Sequence, residues 1–141
     1  MRSVRYKRPT DPSRSELMRR VRQHGTKPEQ DAAALLRELG LRYRRNVRTL
    51  PGSPDFANKS RRWALFVHGC FWHRHRNCER ATIPTRNQRF WLDKFSANEK
   101  RDRRNARKLR SIGFRVITVW ECQAEDTPRL LRRLARNLGV G

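Results

Sequence analysis

The sequence is poor in acidic residues, in cysteine and in long hydrophobic runs. Of its 141 residues only 13 are Asp or Glu, against 35 Lys or Arg, which gives a net charge of +22. Hydrophobic residues make up 35% of the chain, and no run of them approaches the roughly 20 residues that a transmembrane helix needs. The composition therefore disfavours a membrane-spanning protein and predicts one domain with a largely charged surface.

Three cysteines are an odd number, which excludes a complete disulfide framework. Residues 1–12 are basic and contain two prolines, but no hydrophobic stretch follows them. We therefore expect a flexible basic arm rather than a signal peptide, with the folded domain over residues 13–141 and a cytoplasmic, nucleoid-associated location. In that reducing compartment, cysteines grouped with histidines are more typical of metal ligands than of disulfides.

The excess of positive charge favours a polyanionic partner, because a field of this size works against a compact state. Nucleic acid is the first candidate, since neutralisation of its phosphates dominates its binding. A codon bias towards arginine and an acidic membrane surface are weaker alternatives, and no amphipathic anchor supports the second one.

The apolar patterning predicts an α/β domain with a small mixed sheet flanked by helices. The clearest helix start is Thr26-Lys27-Pro28-Glu29, with Thr26 as N-cap and Glu29 three residues later, and Gly40 ends this helix. We predict further helices over residues 14–24, 87–112 and 127–137, strands over 41–47, 55–57, 63–67 and 114–120, and a long loop over 68–86.

A first chemical cluster lies in that loop, where Cys70, His73, His75 and Cys78 are close in sequence and Cys122 follows far downstream. Zinc takes four nitrogen or sulfur ligands, often a close pair from one loop and others from elsewhere. The spacing is irregular, so it leaves two interpretations open. Either these residues bind zinc, or Cys122 is a small buried hydrophobe and the histidines are exposed.

Two further clusters have both a functional and a structural interpretation. Asp55 follows Pro54 near the strand that leads to His68, and a carboxylate at a strand edge can bind Mg²⁺; an isolated Pro-Asp pair is also typical of a turn. The adjacent aromatics at residues 71–72 and 90–91 could stack on DNA bases or supply core. For Phe90 we favour the core.

Four stretches of the sequence resemble the very-short-patch repair (Vsr) endonucleases, in the same order and with similar spacing. The likeness covers residues 10–138, and the string His-Gly-Cys-Phe-Trp-His is long and unusual. These stretches span residues 51–56, 68–73, 89–94 and 119–122.

The resemblance implies a restriction-endonuclease-like fold with a zinc-stapled loop. It also implies a Mg²⁺-dependent nick 5′ of the thymine in a T:G mismatch left by deamination of 5-methylcytosine, which starts very short patch repair. The implied substrate is double-stranded DNA, bound by a monomer, with other mismatch-repair proteins as candidate partners. Alternatives are a related nuclease that cuts matched DNA and a non-catalytic, zinc-stapled DNA-binding module.

The resemblance further implies roles for individual residues at the catalytic centre. Asp55 would bind Mg²⁺ together with the backbone carbonyl of Val67. His68 and His73 would be the active-site histidines, with His73 as general base. Two carboxylates would assist them. Glu29 would order the metal and water, although it also fits a capping box, and Asp102 would orient the catalytic histidine, although it also fits a surface ion pair.

The remaining implied roles concern zinc and DNA. The structural zinc ligands would be Cys70, His75, Cys78 and Cys122. Aromatic wedges would enter the DNA from the major groove, and two residues of the first helix would reach it from the minor groove. The wedges are Phe71, Trp72 and Trp91, and the minor-groove residues are Met18 and Val21. The loop departs from the family at Arg74, Arg76 and Asn77, where other members are often rich in histidine, and it is one residue longer before Cys78.

Overall fold

The computed structural model describes residues 25–140, which form a four-stranded mixed sheet with helices on both faces. The strands are β1 (Arg44–Arg45), β2 (Phe56–Asn58), β3 (Trp63–His68) and β4 (Arg115–Trp120), in the spatial order β1-β2-β3-β4. The helices are α1 (Lys27–Glu38), α2 (Gln88–Ser111) and α3 (Thr127–Asn137), and a short 3₁₀ turn covers Gln123–Glu125. The predicted arm over 1–12, the predicted helix over 14–24, Met18 and Val21 lie outside the described residues.

The sheet topology brings the C-terminal ends of β3 and β4 to one edge. β1 and β2 pair antiparallel, as do β2 and β3, whereas β3 and β4 pair parallel. Parallel strands need a long crossover, which α2 provides. In the parallel register His68 lies opposite Trp120, so the loop after β3 begins beside the residues that follow β4.

The hydrophobic core lies on both faces of the sheet because successive residues of a strand point to opposite sides. Leu65 of β3 packs with Leu36 of α1 and Leu134 of α3 on one face. Ala64, its neighbour, packs with Leu109 of α2 on the other face. The predicted mixed α/β fold with flanking helices is confirmed.

One predicted strand needs correction, and another is only partly buried. The strand predicted over 41–47 is reduced to β1, because Asn46 has φ 49° and ends the extended conformation after Arg45. β4 is not buried along its whole length, since its fully buried residues are Ile117 and Val119 and its alternate residues face a cleft. Within residues 25–140, no helix combines the length and apolarity needed to cross a bilayer.

Candidate active site

A cleft of about 780 Å³ lies along the face of the sheet beside α2. Strand residues Phe66, Val116 and Thr118 line it, together with polar groups from α1, β3, the following loop and α2. Five residues that the sequence singled out for catalysis line this cleft: Glu29, Asp55, His68, His73 and Asp102. Residues separated by up to 73 positions in sequence therefore share one cavity.

Asp55 stands immediately before β2 and joins this strand to β3. Its Oδ2 accepts a hydrogen bond from the backbone N–H of Val67 at 2.7 Å, and its carbonyl accepts one from the backbone N–H of Asn46 at 3.0 Å. The carboxylate is thus held at the cleft wall next to Val67, whose backbone carbonyl is the other oxygen predicted to bind Mg²⁺.

Glu29 lies in the first turn of α1 and is 5% exposed. Its Oε1 accepts from the backbone N–H of Gly25 at 3.0 Å, and Oε2 accepts from the Thr26 hydroxyl at 3.4 Å. Thr26 in turn accepts from the backbone N–H of Glu29, as a capping arrangement requires. The same carboxylate therefore braces the helix start and lines the cleft.

His73 and Asp102 form a short polar contact in the cleft. The Nδ1 of His73 lies 2.6 Å from Oδ2 of Asp102, and both side chains are 24% exposed. Burial opposes ionisation of Asp102, but the hydrogen bond from His73 and the charge of its ring lower the pKa of this carboxyl below its ordinary value. An ionised carboxylate can only accept a hydrogen bond, so Asp102 favours the His73 tautomer whose proton is on Nδ1. The Nε2 of His73 then carries the lone pair.

His68 is stacked directly on His73. Their ring centroids are 3.9 Å apart and their planes differ by 6°, while Trp120 packs edge-on against His68 at 5.2 Å. Burial, reinforced by the neighbouring His73, lowers the pKa of His68 to about 4, so this imidazole is neutral at physiological pH. Because ring nitrogens direct their lone pairs within the ring plane, two stacked imidazoles do not converge on a single ion.

The loop after β3 coils back on itself, which separates two nearby histidines. The backbone N–H of His73 donates to Gly69 O at 3.1 Å, and that of His75 donates to Cys70 O at 3.0 Å. Glu121 accepts from the Cys70 N–H at 3.0 Å and fixes the loop to the end of β4. His73 therefore contacts Asp102, whereas His75 stacks on Trp120 at 4.3 Å.

Cys70, His75, Cys78 and Cys122 bring their ligand atoms within 4.8 Å of one another. The Nδ1 of His75 lies 3.6 Å from Cys70 Sγ and 3.4 Å from Cys122 Sγ. A tetrahedral zinc ion with ordinary bond lengths would hold sulfur and nitrogen about 3.5 Å apart. The four side chains therefore match the donor set and spacing of a closed structural zinc site.

The aromatic residues of the loop and of α2 form one cluster. Phe71 contacts Trp72 and Phe95 edge-on at 5.1 Å, and Trp91 at 5.8 Å. Trp91 is 6% exposed, so in this conformation it supports the cluster from below and offers little surface to a ligand. Phe90, which we interpret as core, is partly buried and packs edge-on against Trp91, and Trp91 is the fully buried member of the pair.

Arg74 ties this aromatic cluster to the rest of the loop after β3. Its guanidinium donates to the carbonyls of Phe71 and Thr82 at 3.0 Å and of Ala81 at 2.8 Å. It also lies over the ring of Phe95, 4.0 Å from the centroid. Arg74 has φ 56°, and no local sequence signal indicates either this conformation or these partners.

Comparison with known proteins identifies the family. The family model for the DNA mismatch endonuclease Vsr matches residues 8–80. The chain is 40% identical over 118 residues to the DNA mismatch endonuclease Vsr of Escherichia coli K12, covering 84% of this chain and 75% of that protein.

The chain belongs to the Vsr family of DNA mismatch endonucleases. It is also similar to two proteins named as type II nicking enzymes. One, V.XorIIP of Xanthomonas oryzae pv. oryzae, is 42% identical over 125 residues, which cover 89% of this chain and 90% of that protein. The other, V.NmeAIP of Neisseria meningitidis, is 39% identical over 127 residues, 90% of each chain. The resemblance seen in the sequence is therefore confirmed, and the protein is an endonuclease that acts on DNA.

Proposed function

We propose that this endonuclease nicks one strand of duplex DNA 5′ of the thymine in a T:G mismatch that arose by deamination of 5-methylcytosine. Membership of the Vsr family supports this specificity, and the His73–Asp102 pair beside Asp55 in one cleft is the observation that carries the chemistry. We further propose that the sheet and its helices form a restriction-endonuclease-like fold. The protein would act as a monomer in the cytoplasm, together with other mismatch-repair proteins.

In this proposal Asp55 would hold Mg²⁺, with the carbonyl of Val67 and Glu29 beside it. The residues fit such an ion, because carboxylate and carbonyl oxygens are its preferred protein ligands and two carboxylates line the same cleft. When bound, the ion would polarise the phosphoryl oxygen and stabilise the charge that develops there. The hydrogen bond from the Val67 N–H fixes the carboxylate of Asp55, so this residue would hold the ion with little reorganisation.

His73 would take the proton from the attacking water at Nε2, because Asp102 occupies Nδ1. Ionised Asp102 would also stabilise the imidazolium that forms. His68, neutral because its pKa is lowered to about 4, would provide a hydrogen-bonding group and a stacking surface without adding charge beside the base. The leaving 3′ oxygen would depart on the opposite side of the phosphorus from the water.

Structural zinc at Cys70, His75, Cys78 and Cys122 would fix the loop that carries both His73 and the aromatic cluster. Phe71 and Trp72, both partly exposed, would enter the base stack beside the mismatch, with Trp91 beneath them. Unstacking costs less at a mismatched step, so the wedge itself favours T:G sites. Met18 and Val21 would reach in from the minor groove.

A nicking assay with matched duplexes tests this function. Two end-labelled duplexes would differ only in one T:G or T:A pair, with randomised flanks and added magnesium. We expect a nick only in the thymine strand of the T:G duplex, abolished by chelation of Mg²⁺ and by Asp55→Asn. Equal cutting of both duplexes would favour the nuclease that acts on matched DNA. Tight binding without metal-dependent cleavage would favour the non-catalytic module.

A further inference from the structure

Helix α2 carries its contacts to the loop in a fixed order along its axis. Phe95, in its second turn, packs in the aromatic cluster. Asn98, one turn later, donates to the carbonyl of Trp72 at 3.1 Å, and Asp102, another turn on, holds His73. At 1.5 Å per residue, Phe95 and Asp102 are about 10 Å apart along the axis. One rigid helix therefore fixes the separation between the aromatic cluster and the catalytic histidine.

Beyond Asp102 the same helix presents three arginines to the same cleft. Arg103, Arg107 and Arg110 are exposed, line the cleft and lie at positions i, i+4 and i+7, which share one side of a helix. Among residues 25–140, none of the three forms an ion pair with a carboxylate. We call this set the arginine stripe.

Helix stability does not explain the arginine stripe. Cations in the last turn of a helix interact favourably with its dipole, and α2 has Lys108 and Arg110 there. Arg103 and Arg107 lie outside that turn, and like charges four residues apart repel each other. Glu99 stands four residues before Arg103 but forms no ion pair with it within residues 25–140, so the repulsion between the two arginines remains while both line the cleft that contains Asp55.

We propose that Arg103, Arg107 and Arg110 bind successive backbone phosphates of the DNA on the side of the scissile phosphate away from the mismatch. This inference rests on the proposed function, which puts the mismatch at the aromatic cluster and the scissile phosphate at Asp55 and His73. The stripe extends about 10 Å along the helix axis. One DNA strand carries a phosphate every 3.4 Å of its axis, so this span covers about three steps between phosphates and offers each of the three arginines its own phosphate.

The first test is the salt dependence of DNA binding in the full chain. The stripe variant carries Arg103→Gln, Arg107→Gln and Arg110→Gln. The control variant carries Arg129→Gln, Arg132→Gln and Arg136→Gln, which remove the same charge from exposed positions of α3 outside the cleft. Glutamine and arginine have similar helix propensities, and circular dichroism would verify both folds.

Affinity for a T:G duplex would be measured by fluorescence anisotropy at several salt concentrations. The logarithm of the binding constant falls linearly with the logarithm of the salt concentration, and each lost phosphate contact makes this slope less steep by about 0.9. We expect the steepness of the slope to decrease by about two to three in the stripe variant and by less than one in the control variant. Equal decreases in the two variants would mean that only net charge matters and would overturn the proposal.

A second test removes the phosphates instead of the arginines. T:G duplexes would be shortened by three base pairs on the 5′ side of the nick, away from the mismatch. We expect wild type and the control variant to lose affinity on shortening, and the stripe variant to be insensitive to it. An equal loss in all three would overturn the inference. Failure of wild type to nick any T:G duplex would instead overturn the proposed function, a result read from a separate assay.

Discussion

Replacing Asp102 by asparagine removes a single charge from the candidate catalytic centre without changing its shape. The carboxylate can only accept a hydrogen bond, so it keeps the proton of His73 on Nδ1 and the lone pair on Nε2. An asparagine amide can also donate, which would hold the ring in the opposite tautomer with its lone pair facing away from the cleft. We therefore expect Asp102→Asn to bind DNA normally and to nick it slowly.

The contact geometry sets the size of this effect. The His73–Asp102 distance is 2.6 Å and both side chains are about three-quarters buried, so the hydrogen bond is charge-assisted and poorly screened by solvent. Hydrogen bonds to charged groups contribute about 1.5 to 3 kcal/mol. If that energy is realised in the transition state, the chemical step slows by about 10- to 150-fold.

Single-turnover nicking of a T:G duplex at saturating enzyme and magnesium isolates the chemical step from product release. The control is Asp93→Asn on the same helix, whose carboxylate is 73% exposed and lies 3.6 Å from Arg89. We expect the control to nick at the wild-type rate and both variants to keep wild-type affinity. A slowing of less than threefold for Asp102→Asn, or equal slowing in the control, would refute the assignment of Asp102 as the residue that orients the base.

The remaining predictions concern stability and metal. Arg74→Ala should lower the free energy of unfolding by about 2 to 4 kcal/mol in urea titrations, because three carbonyls lose a donor; Arg74→Lys should recover only part of this loss. A strong chelator should remove one equivalent of zinc from the wild-type protein, measured with a metallochromic dye, and lower its melting temperature. Cys122→Ser should be purified with less zinc and should also melt at a lower temperature. Gly52→Ala should destabilise the fold in thermal scans, because Gly52 has φ +79° and an added Cβ would lie 3.0 Å from Asn105 Cβ. Because the pKa of Asp102 is lowered in the folded protein, its pairing with His73 stabilises the fold at pH values above the ordinary aspartate pKa. This stabilisation is lost as the pH falls through the lowered pKa. The decrease in unfolding free energy caused by Asp102→Asn, measured in urea titrations, should therefore vanish in acid.

Each of these outcomes can fail in its own way. Wild-type stability of Arg74→Ala would mean that water replaces the guanidinium at no cost. Purified protein with less than a tenth of an equivalent of zinc and an unchanged melting temperature would contradict the structural zinc site. A neutral Gly52→Ala would show that the turn can move away from α2. A cost of Asp102→Asn that is the same at every pH would show that shape, not charge, accounts for it.

The sequence predicts those elements whose ends carry their own local signals. The start of α1 depends on Thr26 and Glu29, and α3 covers residues 127–137, as we predict. β1 was predicted too long because its end depends on the left-handed conformation of Asn46. That conformation is set by pairing with the chain around Asp55, nine residues away, which apolar patterning does not encode.

The sequence names the residues that line the candidate site, but it does not give their geometry. The motif stretches include His73 but not Asp102, and the 2.6 Å contact between the two side chains depends on how α2 crosses the sheet. The same applies to Asn98 and Glu121, which hold the loop at Trp72 and Cys70 and were not singled out. Contacts across 26 to 51 positions leave no trace in local spacing, so only the fold can supply them.

Two left-handed residues shape the loop between His73 and Cys78. Arg74 has φ 56° and Asn77 has φ 58°, and His75, between them, lies 3.4 to 3.6 Å from two cysteine sulfurs. Because Arg74 also binds the Phe71 carbonyl, the residue that bends the loop also fixes the aromatic cluster to it. The four candidate zinc ligands, the aromatic cluster and His73 therefore belong to one connected unit beside α2, and a change that loosens any one of them should disturb the other two.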